Sequence, residues 1–264
     1  MNSTSAQITV VIPSLNQGRF LDEALASIDS QGLPVEIVLV DGGSTDETPE
    51  VIRKWHDKLA WWRSAKDRGQ TAAINEGVGH GGAPYVCWLN ADDTYLPGGL
   101  HRMLDYLESY PDVAAVYGRT WNTDERGGSR RAYWTAPFSA WRLARYCFIS
   151  QPATLIRRQA WDAVGGLDDS LTMAMDYDLW WKLYNRFGKL GYLPEFVATS
   201  RIHGETKTNT QRRRHYTEAM AIVRKYTGSV PLKWYLAWPF SVWLRERLVR
   251  QKYPLGQRSI ESHE

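Results

Sequence analysis

The chain has 264 residues, 43% apolar and 23% charged, which is the composition of a soluble globular protein of one large domain or slightly more. A formal net charge of +3 is too mild to argue for nucleic acid as a partner. Two cysteines, Cys87 and Cys147, exclude a disulfide framework, and no apolar stretch is long enough to cross a bilayer. Met1 to Gln7 is polar and carries no signal-peptide pattern, so a cytoplasmic address is expected. The 13 tryptophans could fill a core or form platforms for sugar rings, and composition does not divide them between the two.

Ile8 to Ile12 is β-branched and predicts a first strand, followed by a loop over Pro13-Ser14-Leu15-Asn16-Gln17-Gly18. Apolar residues at Phe20, Leu21, Ala24, Leu25 and Ile28 have a helical period. Glu36 to Val40 predicts a second strand. Asp41-Gly42-Gly43-Ser44-Thr45-Asp46 is a second loop, with Ser44 or Thr45 placed to cap a helix through Trp55. A short strand near Trp61 to Ser64, a loop at Asp67-Arg68-Gly69-Gln70 and a helix from Thr71 to Val78 come next. Val86-Cys87-Trp88-Leu89 reads as a strand buried on both faces, as parallel strands are, with Cys87 as a small core residue. That strand runs into Asn90-Ala91-Asp92-Asp93, and Pro97 opens a further helix to about Tyr110.

Over residues 6 to 118, strand, loop and helix alternate, the pattern of a parallel α/β half of the Rossmann type. The glycine-rich dinucleotide fingerprint and the P-loop lysine motif are both absent. Residues 119 to 150 have no clear period. Beyond them, Ala153 to Arg157 and Phe196 to Ile202 predict strands, Ala160 to Val164 a helical turn and Asp176 to Phe187 an amphipathic helix. The chain is helical from about Thr208. This organisation gives one domain over 1–207, with halves at 6–118 and 119–207, and a helical extension over 208–264.

Two adjacent carboxylates, Asp92 and Asp93, fall where a parallel strand leaves its sheet, the edge at which open α/β sheets bind ligands. Hard oxygen donors there suit a Mg²⁺ or Mn²⁺ ion shared with a phosphate. The set of pieces resembles the family 2 glycosyltransferases of the GT-A fold, an α/β fold with a mixed, mostly parallel sheet flanked by helices. The resemblance rests on Thr9 to Asn16, Val40 to Asp46, Asp67 to Gln70 with Ala73-Ile74-Asn75, and Trp88 to Asp93. It continues through Gln151-Pro152-Ala153-Thr154, Gly165-Gly166-Leu167-Asp168, Met175 to Trp180 and Arg201-Ile202-His203.

The resemblance implies an inverting, metal-dependent transfer from a nucleotide-diphosphate sugar, a UDP-sugar first, to a hydroxyl of a glycan or lipid-linked acceptor in cell-surface polysaccharide or glycoconjugate synthesis. Asp41 would accept the imide N–H of the base, with Pro13 and Asn16 beside it. Arg68 would meet the base or the diphosphate, or pair with Asp67. Asp92 and Asp93 match the acidic metal motif, with Asp93 favoured for the ion and His203 approaching it. Gln151 joins the donor-binding set and supports the acceptor side. Asp176 is the candidate base, with Asp178 the rival as a helix N-terminal charge. Where many relatives carry an acid, Gly42 and Asn90 stand, which removes negative charge near the donor. A silent nucleotide-sugar-binding or scaffold protein and a sugar nucleotidyltransferase are the alternatives, the latter lacking its usual glycine-rich loop here. The tail from Pro231 to Arg250 mixes Trp, Tyr, Leu and Phe with Lys233, Arg245, Arg247 and Arg250 and is kinked at Pro239. Such a segment suits peripheral contact with the inner face of an anionic membrane, or packing on the catalytic half or on a second subunit of a homo-oligomer.

Overall fold

The computed structural model describes residues 5–204 and 206–244. Strands β1 (Ile8–Ser14), β2 (Val35–Asp41), β3 (Trp61–Ser64) and β4 (Tyr85–Trp88) alternate with helices α1 (Gly18–Asp29), α2 (Thr48–Trp55) and α3 (Gln70–His80). The two-residue strand β5 (Thr94–Tyr95) and helix α4 (Gly99–Ser109) follow, then β6 (Ala115–Thr123), β7 (Arg130–Ala132) and the short helix α5 (Ala140–Leu143). Next come β8 (Thr154–Arg157), α6 (Arg158–Val164), α7 (Met175–Phe187) and β9 (Gly191–Arg201). Helices α8 (Lys207–Thr210), α9 (Arg212–Thr227) and α10 (Leu232–Trp238) close the described chain, with a wider helical turn over Pro239–Leu244.

The strands form one mixed sheet in the order β3-β2-β1-β4-β8-β6-β9-β5, with β7 paired to β6. The first four are all parallel, so their carboxyl ends share one edge. β8 runs antiparallel to β4, and β6 runs antiparallel to β8 and parallel to β9. The period-2 alternation of a strand explains the two layers of core. Ile8, Val10, Ile12, Ile37, Leu39 and Cys87 face α1 and α4, where Leu21, Leu25, Leu100, Met103 and Leu104 are buried. Val11, Val38, Val40, Val86 and Trp88 point the other way, into a core with Ile74 of α3, Leu179 and Trp180 of α7, Ile222 and Val223 of α9 and Trp234 of α10. The helical tail therefore shares a core with the sheet. Gly77 lets α3 lie close to that sheet, since a Cβ there would fall 2.4 Å from Val11 Cγ1.

Several boundaries differ from expectation. Residues 115–123 form β6, in the middle of the sheet; irregular register between Tyr117 and Thr120 breaks its alternation. Pro97 does not open α4, which begins at Gly99 behind a left-handed Gly98. Neither Ser44 nor Thr45 caps α2. Asp46 does so from outside the helix, its Oδ1 accepting from the Thr48 N–H at 3.1 Å. At Pro239 the tail passes from α10 into the wider helical turn, Pro239 itself keeping helical angles, and Arg245, Arg247 and Arg250 lie outside the described residues. Among the described residues no helix is long and apolar enough to cross a membrane.

Candidate active site

The parallel strands end at Ser14, Asp41, Ser64 and Trp88, and the strand order reverses direction between β1 and β4. A crevice opens at such a point. Pro13 fits there because of strand alternation. Its nitrogen faces the β4 side, where pairing stops at Val11 and Trp88, so no ladder bond is lost.

Asp41 is fully buried at the end of β2. Its Oδ2 accepts from the N–H groups of Gly43 (3.1 Å) and Ser44 (3.0 Å) and from Ser64 Oγ (2.6 Å), and its Oδ1 accepts from Ser44 Oγ at 2.5 Å. Oδ1 keeps acceptor capacity for one further donor. Asn16 adopts φ 53°, a left-handed conformation that Asn tolerates. Its N–H donates to Ser44 Oγ at 2.7 Å, and its Oδ1 accepts from the Thr45 N–H at 2.9 Å. Ser44, expected to cap a helix, instead joins Asp41 to Asn16, so the two loops make one wall. Beside it lies a groove of about 550 Å³ lined by Arg63, Lys66, Asp67, Arg68, Asn75 and Asp169 among others. Arg68 is largely exposed, and its guanidinium reaches Asp169 at 3.3 Å rather than Asp67. Asp67 accepts from the Gly69 N–H instead.

The turn after β4 is held on three sides. Asn90 Oδ1 accepts from Gln70 Nε2 at 2.8 Å, and Asn90 Nδ2 donates to Asp93 Oδ2 (3.1 Å) and Gln151 Oε1 (3.3 Å). Gln151 Nε2 donates in turn to the Trp88 carbonyl at 2.7 Å, so Gln151 buttresses the turn. Asp93 is buried, and its Oδ1 accepts from the Arg201 N–H at 3.0 Å. Burial pushes its carboxyl well above the usual range, and the neighbouring Asp92 charge adds to this. Asp92 keeps about 20% of its side chain exposed, and its Oδ2 lies 2.9 Å from Nε2 of the buried His203. Of the two carboxylates, then, Asp92 and not the favoured Asp93 meets His203 and solvent. Lys207, a residue that sequence motifs did not single out, donates to Gln70 Oε1 at 2.7 Å. Burial lowers its pKa, opposed by the charges of Asp67 and Asp92 close by.

Asp176 is the second residue of α7, in the first turn rather than at the N-cap, which is Ala174. It is half-buried, and burial pushes its carboxyl up to about 6, although its Oδ1 accepts from the Tyr177 N–H at 2.8 Å. Four residues on, Trp180 stacks on Trp88 with centroids 6.2 Å apart, two residues before the Asn90 turn begins. This contact ties the helix carrying Asp176 to the strand that leads into the Asp92 turn. Asp178 is buried with Lys225 Nζ and Tyr226 Oη both at 2.9 Å, so it anchors α9 to α7.

A second clasp reaches α7 from α9. Glu218 Oε2 accepts from the N–H groups of Met173 (2.8 Å) and Ala174 (3.0 Å), the residues leading into the helix. Burial raises the Glu218 pKa, but the bonds from Met173, Ala174, Arg214 and Thr172 outweigh it and hold the carboxyl below its ordinary value. A carboxyl with a depressed folded pKa contributes stability above its unfolded pKa and loses it as pH falls through the folded one. Glu218→Ala is therefore expected to cost about 1–3 kcal/mol near neutral pH. In urea titrations the gap from wild type should close as pH drops below the ordinary glutamate range; a gap that persists in acid would count against the clasp.

The sequence model described as glycosyl transferase family 2 matches residues 9–165. The chain belongs to this family. It is 26% identical over 225 residues to an uncharacterised glycosyltransferase of Rickettsia typhi, covering 79% of this chain and 68% of that protein. It is 24% identical over 216 residues to a chondroitin synthase of Escherichia coli, of which it spans only 31%. Among solved structures, Staphylococcus aureus TarS 1–349 in complex with UDP-GlcNAc aligns with a TM-score of 0.68 at 15% identity, covering 92% of this chain and 78% of that one. The mannosyltransferase PcManGT of Pyrobaculum calidifontis, in complex with GDP-Man and Mn²⁺, aligns with a TM-score of 0.67 at 19% identity, covering 95% and 75%. These neighbours share the GT-A fold, and the mixed sheet with flanking helices is that of a family 2 glycosyltransferase.

Proposed function

We propose that this family 2 glycosyltransferase transfers a sugar, with inversion, from a nucleoside-diphosphate donor to a hydroxyl of a glycan or lipid-linked acceptor. The observation that carries the reading is a pair of carboxylates in opposed environments. Asp92 is partly exposed beside His203, while burial lifts Asp176 to about 6. Carboxylates in such different surroundings commonly divide the electrostatic and acid–base work of a site.

One carboxylate oxygen and one imidazole nitrogen meet at Asp92 and His203, and the described residues offer no cluster of three or more metal-binding side chains. That donor set fits Mn²⁺ or Mg²⁺, which accept few protein ligands and complete their shell from phosphate and water. Asp92 and His203 would hold the ion, and its charge would offset the negative charge that gathers on the departing diphosphate. Asp93 supports the turn from below. Asp41 and Asn16 form the wall for the base, where the spare acceptor site on Asp41 Oδ1 suits the imide N–H of uracil. Arg68 and Lys207 supply positive charge toward the diphosphate, and Gln151 holds the turn between donor and acceptor sides. Asp176 takes the proton of the acceptor hydroxyl while that oxygen bonds to the anomeric carbon. The bond from that carbon to the phosphate oxygen breaks with its electron pair leaving on the diphosphate, and a single displacement inverts the centre.

Bound nucleotide sugars in the structural neighbours support this donor class, and the chondroitin synthases among the relatives support a glycan product. A thermal-shift panel of UDP-, GDP- and dTDP-sugars with and without Mn²⁺ tests it. At about a hundredfold excess over Kd the matching donor should raise the melting temperature by about 5–10 °C. A panel with no shift from any donor, Mn²⁺ included, would reject the reading.

A further inference from the structure

Eight of the twelve large hydrophobic side chains exposed among the described residues fall in two short stretches, 134–146 and 232–244. The first carries Trp134, Trp141 and Tyr146, and the second Leu232, Tyr235, Leu236, Phe240 and Leu244. The two stretches are packed together. Trp234 Nε1 donates to the Ala144 carbonyl at 2.8 Å, and Lys233 Nζ lies 5.8 Å from the centre of the Tyr146 ring. With Trp234 turned inward, the exposed residues of α10 and the turn beyond it, at 232, 235, 236 and 240, recur at helical spacing and make a stripe. Trp141 is 65% exposed and Leu236 72%, values for a core-type residue facing solvent, not a core.

The charge of this face is of one sign. A groove of about 460 Å³ between the two stretches is lined by Trp134, Trp141, Arg142, Arg145, Tyr146 and Lys233, with no carboxylate. Arg145 stacks on Trp141 at 3.9 Å, and none of Arg142, Arg145 and Lys233 makes an ion pair among the described residues. Aromatic rings with cations beside them and aliphatic side chains at the tip match the headgroup layer of a bilayer, where rings sit at the interface and cations meet anionic lipid. Leu232, Leu236 and Leu244 at its edge have no hydrogen bond to offer a sugar but suit the acyl side of that layer.

We propose that the face built from residues 134–146 and 232–244 docks on an anionic lipid bilayer. From sequence alone, membrane contact falls in the tail; here a second segment from the middle of the chain completes the surface. The segment carrying Trp134 and Tyr146 is bounded by Tyr133 and Cys147. Tyr177, next to Asp176, donates its Oη to the Leu143 carbonyl within the same stretch, so this surface adjoins the candidate base. Docking there would bring the glycosyltransferase site close to an acceptor anchored in the same bilayer, a consequence that rests on the role given to Asp176.

Flotation of the full chain with vesicles tests the docking without donor or turnover, so its outcome is separate from that of the donor panel. The wild type is expected to float with phosphatidylglycerol-rich vesicles and to stay behind with pure phosphatidylcholine. Arg142→Gln, Arg145→Gln and Lys233→Gln together should weaken partitioning about 10²-fold. Trp141→Ser with Leu236→Ser should abolish it, and the charge variant keeps the test standing should the apolar one misfold. Equal recovery with both lipids, or none with either, overturns the proposal. So does light scattering that shows a wild-type dimer split by the Trp141→Ser/Leu236→Ser change, which would assign the face to a second copy. Quenching of tryptophan fluorescence by soluble heparin fragments, without flotation, would assign it to an acidic glycan.

Discussion

Asp176→Asn is expected to lower turnover by about 10²- to 10⁴-fold while donor affinity stays at the wild-type level. The carboxyl must be free of its proton to act as a base, and burial lifts it to about 6. Wild-type turnover should therefore rise along a limb centred near pH 6, and the residual activity of the Asn variant should lack that limb. Stability offers an independent readout with a fixed sign. A carboxylate whose folded pKa exceeds its ordinary value of 3.8 costs stability above the folded pKa, because folding then opposes ionisation. At pH 8 the Asn variant should be more stable than wild type by about 1–2 kcal/mol, with the gain fading between about pH 6 and pH 4. Full turnover in the variant would move the base elsewhere in the site.

Asp92→Ala and His203→Ala should each weaken Mn²⁺-dependent donor binding by at least the 10- to 100-fold that loss of an outer-shell partner costs. Asp93→Asn should do much less. Its side chain is buried beneath the turn, where Oδ1 accepts from the Arg201 N–H, and an amide oxygen can accept the same bond. Titration calorimetry with UDP, with and without Mn²⁺, separates the three variants. Loss of the manganese effect in Asp93→Asn, with the effect intact in Asp92→Ala, would reverse the assignment.

The sheet edge that carries the candidate site was legible because strand and turn coincide within a few residues. The run from Val86 to Leu89 is apolar and ends at once in Asn90-Ala91-Asp92-Asp93, so the place of the two carboxylates in the fold could be read from the pattern. The start of α7 was legible for the same reason, since Asp176 stands at the head of a strongly amphipathic helix. The choice between Asp92 and Asp93 was not legible. It depends on β9, which presents the Arg201 N–H to one carboxylate and carries His203 past its end to the other. Lys207 was hidden because its partner Gln70 lies 137 residues away. β6 was hidden because its burial comes from β8 and β9, far along the chain, and its register is irregular where alternation would have shown it. Ser44 misled because a hydroxyl before a helix is an ordinary cap, whereas a buried carboxylate three residues back claims this one.

The family match ends at residue 165, yet Asp176 is steadied by Glu218 and Lys225, which grip α7 from the far side. A truncated protein ending ahead of Arg212 would keep every residue proposed to hold the nucleotide but none of this bracing. Because α9 and α10 also bury side chains against the sheet, such a fragment should lose stability along with turnover. Chimeras that splice the candidate site onto a foreign scaffold should therefore need α9 as well, which lies beyond the stretch that defines the chain's kinship.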